Sequence, residues 1–275
     1  LEFRRVLFRS VGFGLYFSLF FYGIVCKKGS LCMKYPNVQL AYFIERPNRF
    51  IAHCRLMETN EEVVTHVKNT GRGKEVFLPG AVVALSYQPS PKRKTDYDLI
   101  AVKKGSFWIN IDSQVPNTLV NEALKNGQIV LPGLVGTIQT VKREQRFAHS
   151  KFDFLVETNA DEQAFVEVKG MTLENKGIGA FPDAPTLRGL KHVTELMAAT
   201  KAGYRCYVLF VVQFEEIKQA TIHQEMQPAF AENVGAAIDQ GVQVLAYNCH
   251  VTPATIELKS QVTFDLLQAF DDPNK

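Results

Sequence analysis

Residues 150–170 read SKFDFLVETNADEQAFVEVKG. Residues 152–157 and 164–169 are short runs rich in β-branched and aromatic residues, and the polar run 158–163 between them carries turn residues, so the stretch predicts two strands joined as a hairpin. Alternate side chains of a strand share a face, so Glu167 and Lys169 point one way while Val166 and Val168 mark the buried side. The hairpin brings Asp153 close to Glu167.

Downstream of the hairpin, Thr186 caps a helix running to residue 202 and stopped by Gly203, with Leu187, Leu190, Val193 and Met197 as its apolar face. Residues 204–214 are almost continuously apolar and predict a strand covered on both faces. A last helix spans 228–240, and a strand follows at 242–248. Upstream, 118–125 predicts a short helix stopped by Asn126-Gly127. Helix, hairpin, helix, strand, helix, strand describes an α/β layered domain, assigned to residues 118–275. Before it, strands are predicted at 39–45, 50–56, 62–67, 81–87, 97–103 and 106–111. So many short strands in one segment indicate a small barrel, with an OB-fold as the natural form, assigned to residues 33–117.

Residues 1–32 stand apart. Arg4, Arg5, Arg9, Lys27 and Lys28 face a single Glu2, and the 16 residues 11–26 are uncharged. That run falls short of the roughly 20 residues a membrane span needs. It lacks a small-x-small cleavage site, and the first Met of the chain is Met33, so 1–32 reads as a non-native leader rather than a signal or anchor. The chain's net charge of +3 therefore misleads. Residues 34–117 carry net +4 and residues 118–275 net −5, an asymmetry that assigns different tasks to the two halves. The 5 cysteines form no C-x-x-C pair, which argues against a zinc ribbon or disulfide framework and fits the cytoplasm.

Two adjacent carboxylates with a lysine two residues on can hold Mg²⁺ (or Mn²⁺) through oxygen ligands, while the lysine steers a water or phosphate oxygen. That is the arrangement of PD-(D/E)xK phosphodiesterases, although E-x-K on a half-exposed strand is also common as a solvated face. On the helix after Thr186, residues Arg188, Lys191, His192 and Glu195 recur at helical spacing opposite the apolar stripe. They predict a cationic face suited to a phosphate backbone. In the barrel half, Lys68, Arg72 and Lys74 flank a glycine turn, Lys92-Arg93-Lys94 sits on a proline-rich loop, and Lys103-Lys104 adds a third cluster. Basic loops beside Tyr87, Tyr97, Phe107 and Trp108 are what a single-strand binder uses, with Trp108 better suited to the core than to a stacking platform. Gly177-Ile178-Gly179 lacks the rest of a dinucleotide fingerprint and reads as a flexible loop beside the site.

These residues also carry a resemblance. Glu144, the runs SKFDF (150–154), VEVKG (166–170) and FPDA (181–184), and Arg188-Gly189-x-Lys191-His192-x-x-Glu195-Leu196 are similar to signature blocks of the SfsA family, the sugar fermentation stimulation proteins. Asn69-Thr70-Gly71, Lys92-Arg93-Lys94 and Pro116-Asn117 resemble its other blocks. The resemblance covers nearly all of 35–266. It implies an OB-fold joined to a PD-(D/E)xK-like domain, DNA binding with little sequence preference, and a role in regulating sugar, particularly maltose, metabolism. Carried over by position, Asp153 and Glu167 are metal carboxylates, Lys169 is the catalytic-type lysine, and Glu144 is a further acidic residue of the site. Lys151 stands where the family often has arginine, which keeps the charge but loses a bidentate fork. Three functions follow as alternatives: a DNA-binding regulator with a nuclease-like domain, an active Mg²⁺-dependent nuclease, or an OB-fold adaptor without salt-dependent DNA affinity.

Overall fold

The computed structural model describes residues 32–69 and 71–275. The expected leader lies outside them except for Cys32, which opens strand β1 (Cys32–Lys34). The next strands are β2 (Val38–Asn48), β3 (Ile51–Leu56), β4 (Glu62–Val67), β5 (Val82–Tyr87), β6 (Tyr97–Lys104) and β7 (Phe107–Asn110). They form one sheet in the order β4-β3-β2-β5-β6-β7, and a parallel pairing of β4 with β6 closes five of them into a barrel. This is the OB-like domain. Its interior is filled by Ala41, Phe43, Ala52, Cys54, Val83, Leu85 and Leu99, all buried, from alternate positions of facing strands.

The second domain begins with helix α1 (Val115–Lys125), three residues earlier than its polar start suggests, because Pro116 occupies the first turn, where its missing N–H costs nothing. Strands β8 (Ile138–Phe147), β9 (Ser150–Thr158), β10 (Gln163–Met171), β11 (Leu173–Asn175) and β12 (Ile178–Phe181) follow. Then come helix α2 (Leu187–Lys201), β13 (Arg205–Val212), β14 (Gln219–Ile222), helix α3 (Pro228–Asp239), β15 (Gln243–Val251) and β16 (Thr255–Phe264). They build one mixed sheet in the order β11-β12-β14-β16-β15-β13-β10-β9-β8, with β1 added beside β16. Strands β10, β13 and β15 are mutually parallel at its centre. Burial on both faces explains the unbroken apolar run of β13. Among the described residues no helix is long and apolar enough to cross a membrane.

The sheet's two faces are covered differently. On one, Phe165, Val208 and Phe210 pack against Val193, Leu196 and Ala199 of α2 and Phe230 and Val234 of α3. On the other, Val166, Val168, Leu209 and Val211 share a core with Leu119 and Val120 of α1 and with Ala84, Ile100 and Ala101 from the outside of the barrel. The domains therefore share a core rather than being strung on a linker. Two sequence readings change. Residues 178–181 are not a flexible loop but β12, paired on one side with β11 and on the other with β14. The apolar stripe of α2 is also rotated from expectation. Gly189, His192, Val193, Leu196 and Ala199 are buried, while Leu187 is 80% exposed at the helix start.

Candidate functional site

The hairpin of β9 and β10 pairs from Gln163↔Glu157 to Val166↔Phe154, where the regular ladder ends. Beyond it the Asp153 carboxylate replaces a backbone partner: its Oδ2 accepts the Val168 amide at 2.8 Å and its Oδ1 accepts the Asn117 side-chain amide at 2.7 Å. The first turn of α1 thus aims Asn117 at Asp153. The Asp153 pKa is raised, first by burial and then by the neighbouring Glu167 charge.

Glu167 is more deeply sunk than an exposed-face reading allows, at 2% exposure. Its Oε1 accepts both the Lys169 ammonium and the His192 ring Nδ1. Burial pushes its pKa up, but Lys169 and His192 outweigh burial and hold the carboxyl below its ordinary range. Its Oε2 is buried and has no hydrogen-bond partner. Such an orphaned carboxylate oxygen costs free energy unless a cation or donor meets it. The hard oxygens of Asp153 and Glu167 suit a divalent ion such as Mg²⁺, which keeps several waters and needs few protein ligands. Among the described residues no group of three or more His, Cys, Asp or Glu is assembled as a metal site.

The remaining expected site residues fall in several places. Glu144 has a positive φ of 54° in β8, at the position facing Asp153 between the pairs Arg143↔Phe154 and Gln145↔Phe152, yet its exposed carboxylate pairs with Lys151 at 2.6 Å. His192 leaves the cationic face altogether: it is buried against Phe152 and holds Glu167. The acidic partner, absent from the helix's own periodicity, draws it inward. Arg188 and Lys191 stay exposed, with Lys191 donating to the His149 carbonyl at 2.9 Å. Glu195 turns inward, its Oε2 buried without a partner.

In the barrel, Lys68 pairs with buried Asp112 at 2.5 Å, and Arg93 grips buried Asp98. Lys92 and Lys94 are exposed. The aromatics expected as stacking platforms are spent on packing. Tyr87 lies against Tyr97 with centroids 5.0 Å apart, Phe107 meets Phe214 across the domains, and Trp108 packs on the shared core. Arg72 and Lys74 instead line a groove of about 680 Å³ with Arg49, over the stacked rings of Phe43 and Phe77. Arg46, absent from the sequence reading, organises this groove. Its guanidinium donates to the carbonyls of Arg49, Asn69, Gly71 and Arg72 at 2.7–2.8 Å and lies over Phe77. The loop it fixes docks on the second domain, where the Arg72 amide donates to Asp183 Oδ2 at 2.9 Å. A Cβ at Gly71 would sit 2.1 Å from that oxygen, so any other residue there displaces the Asp183 carboxylate.

A second cleft of about 410 Å³ runs from Arg49 and Gly71 to Gly170, Asp183, Thr186 and Gln213, outside the carboxyl ends of β10 and β13. Gly170 is needed for close approach, because a Cβ would meet Gln213 Oε1 at 2.5 Å. Gln213 is buried and its Nε2 donates to Asn110 and Asp112 of the domain junction. Nothing in the sequence signalled Gln213, which closes an apolar strand.

Comparison with known proteins matches residues 44–111 to the family description "SfsA N-terminal OB domain" and residues 114–255 to "Sugar fermentation stimulation protein RE domain". The chain belongs to the SfsA family. A sugar fermentation stimulation protein homologue of Enterococcus mundtii is 59% identical over 242 residues, covering 88% of this chain and 100% of the relative. The homologue of Ruminiclostridium cellulolyticum is 45% identical, covering 84% and 98%. The structure of Pyrococcus furiosus SfsA in complex with Ca²⁺ is similar, with a TM-score of 0.75 at 25% identity, covering 85% of this chain and 98% of that one. The OB-like barrel and the mixed-sheet α+β domain of this chain are thus the architecture of the family.

Proposed function

We propose that this chain binds DNA and that Asp153 and Glu167 hold a divalent cation at a nuclease-type site in its second domain. The observation that carries the proposal is Glu167 Oε2, buried without a partner beside a second, half-buried carboxylate, Asp153. The Ca²⁺ complex of the Pyrococcus furiosus relative supports a cation here, and the donor chemistry suits Mg²⁺ or Mn²⁺ equally. Bound, the ion supplies Lewis-acid polarisation of a phosphate oxygen. Asn117 and the Val168 amide orient Asp153, and His192 orients Glu167. Lys169, tied to Glu167 through one hydrogen of its ammonium, keeps two for a water or a phosphate oxygen.

A second reading, binding without turnover, is favoured by one observation: Glu144, the further acid of the site, is engaged outside it by Lys151. In that reading the protein is a regulator, and control of sugar use, maltose included, follows from DNA occupancy. The buried thiols Cys54, Cys206 and Cys249, with no disulfide among the described cysteines, support a cytoplasmic setting for either role.

The test incubates labelled single- and double-stranded DNA with Mg²⁺ or Mn²⁺, then with EDTA, and titrates the cation by calorimetry. Asp153→Ala is expected to abolish cation binding and any metal-dependent fragments while leaving DNA binding intact or tighter, because a carboxylate near a phosphate repels it. Unchanged cation affinity in that variant removes Asp153 and the nuclease-type site from the proposal. Cation binding without fragments in the wild type selects the regulator.

A further inference from the structure

The cleft that runs from Arg49 to Gln213 is lined from both domains, and the proposed cation site uses none of its side chains. At its floor Gln213 is 1% exposed. The Gln213 Nε2 meets three acceptors at 3.0–3.1 Å, the carbonyls of Asn110 and Asp112 and the Asn110 side-chain oxygen. Only the nitrogen of an amide can meet three acceptors, so Oε1 is turned the other way, against Gly170. No hydrogen bond among the described residues ends on that oxygen, which leaves a buried acceptor facing the cleft. The polar groups around it are half-used, in opposite senses. Ser113 donates its hydrogen to the Lys68 carbonyl at 2.8 Å and keeps its lone pairs. Thr186 accepts the Gly189 amide at 3.0 Å and keeps its hydrogen. Asp183 accepts the Arg72 amide and has further lone pairs, and the Thr172 hydroxyl makes no described hydrogen bond. Pro182, Ala184 and Pro185 supply an apolar wall.

We infer that this cleft binds a neutral carbohydrate of one or two rings, its hydroxyls on Gln213, Asp183, Thr172 and Thr186 and its C–H face on the proline wall. A charged ligand is opposed whatever its sign. The Asp183 carboxylate repels an anion, while Arg46 and Arg72, which act on Asp183 through space, and Arg49 at the mouth repel a cation. A hydroxyl group carries no charge, donates and accepts at once, and so matches each of the half-used partners. The volume of about 410 Å³ lies at the low end of the roughly 300–1,000 Å³ of small-molecule sites, which suits one or two sugar rings. The inference goes beyond the DNA and cation reading and stands on different residues. Because Arg49, Asn69 and Gly71 of the barrel line one side and Gly170, Thr172 and Asp183 the other, occupancy acts on the junction between the domains.

The experiment titrates glucose and maltose into the full chain by calorimetry in EDTA, with spermidine and inorganic phosphate as charged competitors. At least one sugar is expected to bind, and neither ion is expected to displace it. Gly170→Ala places a Cβ 2.5 Å from Gln213 Oε1, an overpacking expected to weaken the sugar about tenfold or more. Thr172→Val removes one hydroxyl at nearly constant shape and is expected to weaken it about fivefold, the worth of one net hydrogen bond. Since Thr172 has no described side-chain hydrogen bond to lose, that variant carries the test if Gly170→Ala fails to fold. Asp153→Ala is expected to bind sugar as the wild type does, so failure of the cation site and failure of the sugar cleft are read apart. The inference is overturned if neither sugar binds, or if spermidine or phosphate displaces the bound sugar. It is equally overturned if the folded variants bind sugar as tightly as the wild type, which puts the sugar elsewhere.

Discussion

The barrel carries two basic clefts that look alike in sequence and differ in state. In one, Lys68, Arg93 and Lys94 gather beside His66 and Asp98. Lys68 is committed to Asp112, which also accepts the Gln114 amide and the Tyr35 hydroxyl, and Arg93 is committed to Asp98. In the other, Arg49, Arg72 and Lys74 rim a groove whose one guanidinium in the wall, Arg46, is spent on backbone carbonyls. Lys68 and Arg93 of the first set hold the fold together, and the second set is available to a ligand. Counting lysines and arginines in loops cannot separate the two, because Asp112, which neutralises Lys68, lies far along the chain just after β7.

This contrast can be broken by mutation. Arg93→Met leaves Asp98, 6% exposed, without its main partner and is expected to cost about 3 kcal/mol, the low end for a broken buried pair because Arg93 itself stays 27% exposed. Urea unfolding reads that loss, and nucleic-acid affinity of the folded variant is expected to match the wild type. The reverse outcome, weak binding at unchanged stability, would merge the two clefts into one binding surface. Lys68→Met is the milder case, about 1–2 kcal/mol, since Asp112 keeps hydrogen bonds from Tyr35 and Gln114. A loss as large as that of Arg93→Met would show that those two bonds contribute little.

The clustering of Asp153, Glu167 and Lys169 was legible in the sequence because its spacing is local. Glu167 and Lys169 share a strand face by alternation, and one hairpin turn sets Asp153 against them. The barrel strands were equally plain, since each is a short β-branched run bounded by turn residues. Strand β8 was not, as IQTVKREQRF is an edge strand whose solvent-facing charges blunt its period. Nor was the fate of His192, because its periodicity places it beside Arg188 and Lys191 and only the Glu167 carboxylate, reached through tertiary packing, explains its burial. Arg46, Arg49 and Gln213 act through backbone carbonyls and cleft shape, which leave no motif. The Asn69–Gly71 and Asp183 blocks were visible as separate resemblances. Their contact across the domain junction, through the Arg72 amide, was not.

That contact carries the smallest effect and the finest test of the comparison, because the charge of Asp183 decides whether Arg72 is free. Burial is the leading influence and raises the Asp183 pKa, against the lowering influence of the Arg72 amide, Arg46 and Arg72. A carboxyl raised in the folded state binds its proton more tightly there than when unfolded. Stability therefore falls as pH rises from the ordinary aspartate range through the folded-state value. Asp183→Asn mimics the neutral form and can still accept the Arg72 amide, so its stability should stay flatter across that window. Urea midpoints of the two proteins should differ least in acid, with the wild type falling behind the variant as pH increases. Glu75 adds a second sign, since the Asp183 charge helps hold its pKa up and that influence disappears in the variant. A wild type that gains on the variant with rising pH would mean that Arg46 and Arg72 hold Asp183 ionised despite burial. Arg72 would then be neutralised like Arg93, and the groove would keep only Arg49 and Lys74 for a phosphate backbone.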